Sequence, residues 1–195
     1  MQTKEVLLFL TDKWADWEAA YVLPEVNSVS HCTVKTIAVD KQPKVSIGGL
    51  RAEIDYTTAD CQNFDNTAIL ILPGGFNWQE APHDDIAAFV KRAVDSGIPI
   101  AAICGATIFL GRHGFLDNTK HTGDDLELFM KEPGYNGQDF YVSAQVVCDK
   151  GIITANETAA VEFARVIFGL LKIDTDEELD GWYNYFKNGA VEGQA

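Results

Sequence analysis

Three short runs of uninterrupted apolar residues limit what this chain can fold into: Val6-Leu-Leu-Phe-Leu10, Ala68-Ile-Leu-Ile-Leu72 and Ile98-Pro-Ile-Ala-Ala-Ile103. Strands that face solvent on one side alternate apolar and polar residues. A continuous apolar run means a strand covered on both faces, as in a parallel sheet. Helical stretches lie between the runs, from Asp16 to about Val29 and from about Asp84 to Ser96. Strand and helix in alternation give βαβ units and an α/β architecture. Thr33 to Val39 is expected to be a further strand. Val45 to Ile54 is expected to be a hairpin about Gly48-Gly49, and Gln145 to Thr154 a hairpin about Asp149-Lys-Gly151. Thr158 to Leu171, apolar on nearly every side, predicts a buried helix. Thr175-x-x-Glu178 is a capping box. It opens a last helix over about 175–188, with Leu179, Trp182, Tyr183 and Phe186 on one face.

At 195 residues the chain is expected to form one domain. Its formal charge of −14 disfavours nucleic acid and anionic membrane as partners. The first apolar run is too short for a signal peptide, and no run is long enough to span a bilayer. A cytoplasmic protein is therefore expected. The four cysteines, Cys32, Cys61, Cys104 and Cys148, show no C-x-x-C pair or zinc-type spacing, so no metal and no cofactor are expected.

Ligands of open α/β sheets bind beyond the carboxyl ends of the strands. Glu18 follows the first apolar run, Pro73-Gly74-Gly75 the second and Cys104-Gly105-Ala106 the third. Cys104, between a strand and a helix and flanked by small Ala102 and Ala106, has the layout of a nucleophile elbow. A thiol at a helix N-terminus is expected to have a lowered pKa. The N–H groups of Gly74, Gly75 and Gly105 are candidate oxyanion donors. Glu18, among Trp17, Ala19 and Ala20, is expected to be buried and protonated.

These segments, with Ile47-Gly-Gly-Leu-Arg51, Gly114-Phe-Leu-Asp-Asn-Thr-Lys120 and Ile153-Thr-Ala-Asn156, resemble the ThiJ/PfpI family of the class I glutamine amidotransferase-like superfamily, over about residues 4–171. The resemblance implies a flavodoxin-like α/β/α sandwich with a mostly parallel sheet, and a homodimer or larger assembly. It assigns Cys104 as nucleophile, Glu18 as a protonated carboxyl bonded to it, and Gly75 and Gly105 as oxyanion donors. Family activities include intracellular protease or amidase, glyoxalase-type and deglycase-type hydrolysis, chaperone action and oxidative-stress sensing. Two positions depart from the family pattern. Gly105 stands where many hydrolytic members have histidine. Asp124 stands where others carry a later histidine, His121 lying three residues before it. No histidine follows His121, which excludes the glutaminase H-x-E pair. His121 is the remaining candidate base by proximity, whereas His31, His83 and His113 read as ordinary structural residues. The expected activity is cysteine-dependent hydrolase-like chemistry on a small neutral carbonyl or peptide substrate. The alternative is a stress sensor or chaperone that works through Cys104 oxidation without turnover.

Overall fold

The computed structural model describes residues 3–80 and 83–190. The first apolar run forms β1 (Lys4–Phe9), the second β6 (Thr67–Leu72) and the third β7 (Ile100–Ile103). The other strands are β2 (Cys32–Ala38), β3 (Lys44–Val45), β4 (Arg51–Ala52), β5 (Tyr56–Thr57), β8 (Val146–Asp149) and β9 (Ile152–Ala155). Seven strands make one sheet in the order β5-β2-β1-β6-β7-β9-β8, parallel except for β8 against β9. β3 and β4 form a separate antiparallel pair, the hairpin about Gly48-Gly49. The edge strand β5, two residues long, carries no sequence signal strong enough to announce it.

Alternate residues of each apolar run enter opposite cores. Val6, Leu8, Ile69, Ile71, Ala101 and Ile103 pack on one face, under α2 (Val22–Ser28) and α6 (Ala160–Leu171). Leu7, Phe9, Leu70, Leu72, Ile100 and Ala102 pack on the other, under α3 (Asp84–Asp95) and α4 (Gly105–Arg112). The result is a flavodoxin-like three-layer α/β/α arrangement. No helix among the described residues is long and apolar enough to cross a membrane.

The helical stretch after β1 is split into α1 (Asp16–Ala19) and α2. Pro24 has no N–H to bond the Ala20 carbonyl, so the expected single helix loses a link at that point. α5 (Leu126–Met130) follows the loop after α4. α7 (Asp176–Asn188) begins at the capping residue Thr175, whose side chain accepts from the Glu178 N–H at 3.3 Å. Its apolar face lies on α6, with Trp182 edge-on to Phe168 at 4.9 Å. Lys187 Nζ lies 2.7 Å from Glu162 of α6, and the Tyr183 hydroxyl donates to the same carboxylate at 3.0 Å.

The topology fixes where a site can form. The chain runs outward from β1 to β2, then returns to place β6 on the other side of β1. The carboxyl ends of β1 and β6 therefore flank a switch point, with β7 and β9 next in line.

Candidate functional site

Cys104 is the residue between β7 and α4, and its backbone is strained, with φ 55° and ψ −130°. A non-glycine residue there costs about 1–3 kcal/mol and persists only when its surroundings hold it. The Cys104 N–H donates to Ala155 at the end of β9 (2.9 Å), and its carbonyl accepts from the Thr107 hydroxyl (2.6 Å). The turn aims the thiol at the switch-point crevice, where the Gly105 N–H faces the sulfur.

The Pro73-Gly74-Gly75 turn closes against both neighbours. A Cβ on Gly74 would sit 2.7 Å from Cys104 Cβ and 2.8 Å from Glu18 Oε2. Gly75 has φ +138°, and a Cβ there would lie 2.3 Å from the Lys13 carbonyl oxygen and 2.8 Å from Trp14 Cα. Rigid backbone cannot retreat from such a contact. Gly75→Ala is therefore expected to cost about 2–4 kcal/mol of stability, read from urea unfolding. An unchanged unfolding midpoint would contradict this packing. Among the described residues the Gly75 N–H has no acceptor, which leaves it available to a ligand.

Glu18 is fully buried on α1. Its Oε2 accepts from the Gly74 N–H at 2.5 Å, which corrects the expectation of Gly74 as an oxyanion donor, since that N–H is already engaged; its Oε1 is sealed from solvent. Burial pushes its carboxyl from 4.5 up to about 8, against the pull of the Gly74 N–H and the Cys104 thiol, with Asp124 and Glu157 adding to the rise. Glu18 therefore holds a proton at neutral pH. Asp16 pins the β3–β4 hairpin beside it, accepting from the Ser46 hydroxyl at 2.5 Å and the Gly48 N–H at 3.1 Å.

Two acids not foreseen as site residues complete the surroundings of the thiol. The Cys104 sulfur and one carboxylate oxygen each of Asp124 and Glu157 all lie within 4.8 Å of one another. Asp124 Oδ1 also accepts from the Glu157 N–H at 2.7 Å. Asp124 stands at a histidine position of the family, a signal that this position faces the nucleophile. Glu157 carries no such signal. The expected lowering of the thiol pKa is corrected. Burial pushes the Cys104 thiol up, and the negative charges of Glu18 and Asp124 push the same way against the Gly105 N–H. Glu18 acts so only when ionised, so near neutral pH the upward push comes from burial and Asp124. One helix terminus does not offset them.

His121 is not brought to the thiol. It is fully buried, its Nδ1 donates to the Thr119 carbonyl at 2.7 Å, and its Nε2 accepts from the Tyr135 hydroxyl at 2.8 Å. Phe129, Tyr135 and Tyr141 surround it with ring centroids 5.4–5.9 Å away. Burial lowers its pKa and keeps it neutral. Both ring nitrogens are engaged, so the candidate base is a structural histidine of an aromatic cluster. His121→Leu is expected to cost about 1–3 kcal/mol by stranding the Tyr135 hydroxyl, leaving the alkylation rate of Cys104 unchanged. A fall in that rate at constant fold would restore His121 to the site.

The sequence model of the DJ-1/PfpI family matches residues 4–169. The chain belongs to this family. It is 35% identical over 195 residues to YoaZ of Bacillus subtilis (strain 168), described as an uncharacterized protease, covering 96% of this chain and 92% of that one. It is 36% identical over 179 residues to YdeA of the same organism, described likewise, covering 91% and 88%. The crystal structure of a ThiJ/PfpI family protein from Bacillus anthracis superposes with a TM-score of 0.91 at 35% identity, over 97% of this chain and 93% of that one. The relation covers nearly the whole length, so the family resemblance drawn from the elbow, the Pro-Gly-Gly turn and Asp16-Trp-Glu18 holds for the chain as a unit.

Proposed function

We propose that this DJ-1/PfpI protein is a cysteine-dependent hydrolase-like enzyme of the protease/amidase or glyoxalase/deglycase type, with Cys104 as its nucleophile. The observation that carries this reading is the strained elbow, held with its sulfur against the Gly105 N–H and against Asp124. A thiol that rests protonated needs a base. Asp124 takes that role here, in the place of the absent histidine. As the sulfur–carbon bond forms at a neutral carbonyl, the thiol proton passes to Asp124. The carbonyl π pair moves onto oxygen, and the Gly75 and Gly105 N–H groups receive the oxyanion. Glu18, protonated below about pH 8, then serves as a proton donor inside the crevice. A neutral carbonyl or peptide is the fitting substrate, because the nearby carboxylates repel anions. We read the enzyme as a cytoplasmic homodimer of one domain, supported by family membership and by exposed Trp17, Ile47, Leu50 and Phe76 around the site-forming segments.

The sensor reading ranks second on the same electrostatics. A Cys104 sulfinate would be an anion facing Asp124 and Glu157. The test is turnover of a panel of neutral amides, peptides and 2-oxoaldehydes by the wild type and Cys104→Ser. Cys104-dependent turnover supports the enzyme, and turnover surviving the substitution contradicts it.

A further inference from the structure

We propose that the cleft between α2, α6 and α7 is a binding site for a small protonated aliphatic amine. The cleft has a volume of about 370 Å³, at the lower end for small-molecule sites. Its walls carry the rings of Phe168, Trp182 and Tyr185 and the carboxylates of Glu25, Asp174 and Glu178. The aromatic wall is set in advance. Trp182 stands edge-on to Phe168 at 4.9 Å and to Tyr21 at 6.0 Å, and Phe186 packs on it at 4.8 Å. Its indole N–H donates to Glu25 Oε1 at 3.0 Å, across 157 residues of chain. One carboxylate is thereby fixed at the rim of the aromatic wall.

The chemistry of the lining selects the ligand. Aromatic rings attract a cation through their quadrupole, and a carboxylate beside them supplies the opposite charge. The basic side chains of α6 and α7 are engaged elsewhere: Lys187 with Glu162 at 2.7 Å, and Arg165 with Asp176 and Asp180 at 3.3 and 2.8 Å. Among the described residues no lysine or arginine forms an ion pair with Glu25, Asp174 or Glu178. Such a lining repels anions, and its apolar part gives a bare, hydrated metal ion nothing to bury. An alkyl body with an ammonium head suits both parts. Gly181 is an independent sign. It lies inside α7, where glycine is the poorest helix former after proline. It also lines the cleft, and a Cβ there would meet nothing within 4 Å. Packing does not demand glycine at this position; what the missing side chain preserves is the open volume of the cleft.

The test is calorimetric titration of the full chain with cadaverine at low and high salt, against the uncharged diol of the same length. One equivalent of the amine is expected to bind, more weakly at high salt, and the diol is expected not to bind. Trp182→Leu is expected to weaken binding about tenfold and Glu25→Gln about fivefold. Gly181→Leu fills the cleft without changing any charge. It should abolish binding while urea unfolding shows a fold as stable as the wild type or more so, because leucine is the better helix former. Asp85→Asn, on α3 across the sheet, removes one charge far from the cleft and should leave binding unchanged. Circular dichroism checks the fold of each variant. No saturable binding, equal losses in Asp85→Asn and Glu25→Gln, or full binding by Gly181→Leu would overturn the proposal, the last two by reducing the effect to general charge attraction. Binding that appears only on dilution would assign the cleft to a second copy of the chain and overturn it as well. The cleft shares no residue with the Cys104 site, so none of these results bears on turnover.

Discussion

Cys104→Ser is expected to lower kcat/KM on a responsive carbonyl substrate on the order of 10³-fold or more, while thermal unfolding moves little. The reason lies in the proton. Serine fits the strained elbow with nearly the same shape, so the bonds to Ala155 and Thr107 survive. Its hydroxyl is far harder to deprotonate than a thiol, and the bases beside it are the carboxylates of Asp124 and Glu157, weak in comparison with an imidazole. Removing a nucleophile that acts as a unit with its base costs nearly all of their joint contribution. A loss below about tenfold, in a folded variant, would mean that another group carries the reaction.

Glu18→Gln is expected to show a large effect in stability, with a definite sign in pH. The carboxyl moves from 4.5 in the unfolded chain to about 8 in the fold. A raised acid binds its proton more tightly when folded. Its stabilising contribution is complete below about pH 4.5 and is lost as pH rises through about 8. Glutamine mimics the protonated form at every pH and can still accept from the Gly74 N–H. Near pH 5 the two proteins should therefore unfold at similar urea concentrations. Near pH 9 the wild type should be weaker than Glu18→Gln by roughly 3–5 kcal/mol, since each tenfold gain in proton affinity on folding corresponds to about 1.4 kcal/mol. A difference that stays flat across this range would place Glu18 in contact with water and dismantle the buried site.

The parts of the molecule that depend on local pattern are legible in the chain. β1, β6 and β7 are apolar throughout because both faces are covered, and the Thr175 capping box marks the start of α7. Cys104 and Gly75 stand out because an elbow and a close backbone approach both demand particular small neighbours. The parts that depend on long-range assembly are not legible. Asp124 and Glu157 reach the thiol from positions 20 and 33 residues apart in series, a spacing that follows no motif. His121 has the right residue type in a plausible stretch. Tyr135, which bonds its Nε2, and Tyr141, which packs on its ring, come from later in the chain and fold over it, while its Nδ1 bonds back to Thr119. The direction of the thiol pKa escapes a local reading for a related reason: a helix terminus is a local feature, whereas burial and neighbouring carboxylates are set by the whole fold.

At the centre of the proposed chemistry, Cys104 rests as a protonated thiol whose proton Asp124 is placed to take. The most direct measurement is the rate of Cys104 alkylation by iodoacetamide against pH, in wild type and Asp124→Asn, with peptide mass spectrometry to assign the adduct. A wild-type midpoint above the ordinary thiol value of about 8.5 is expected, with a lower midpoint in Asp124→Asn, where one negative neighbour is gone. A wild-type midpoint well below that ordinary value, or one indifferent to Asp124, would contradict this chemistry.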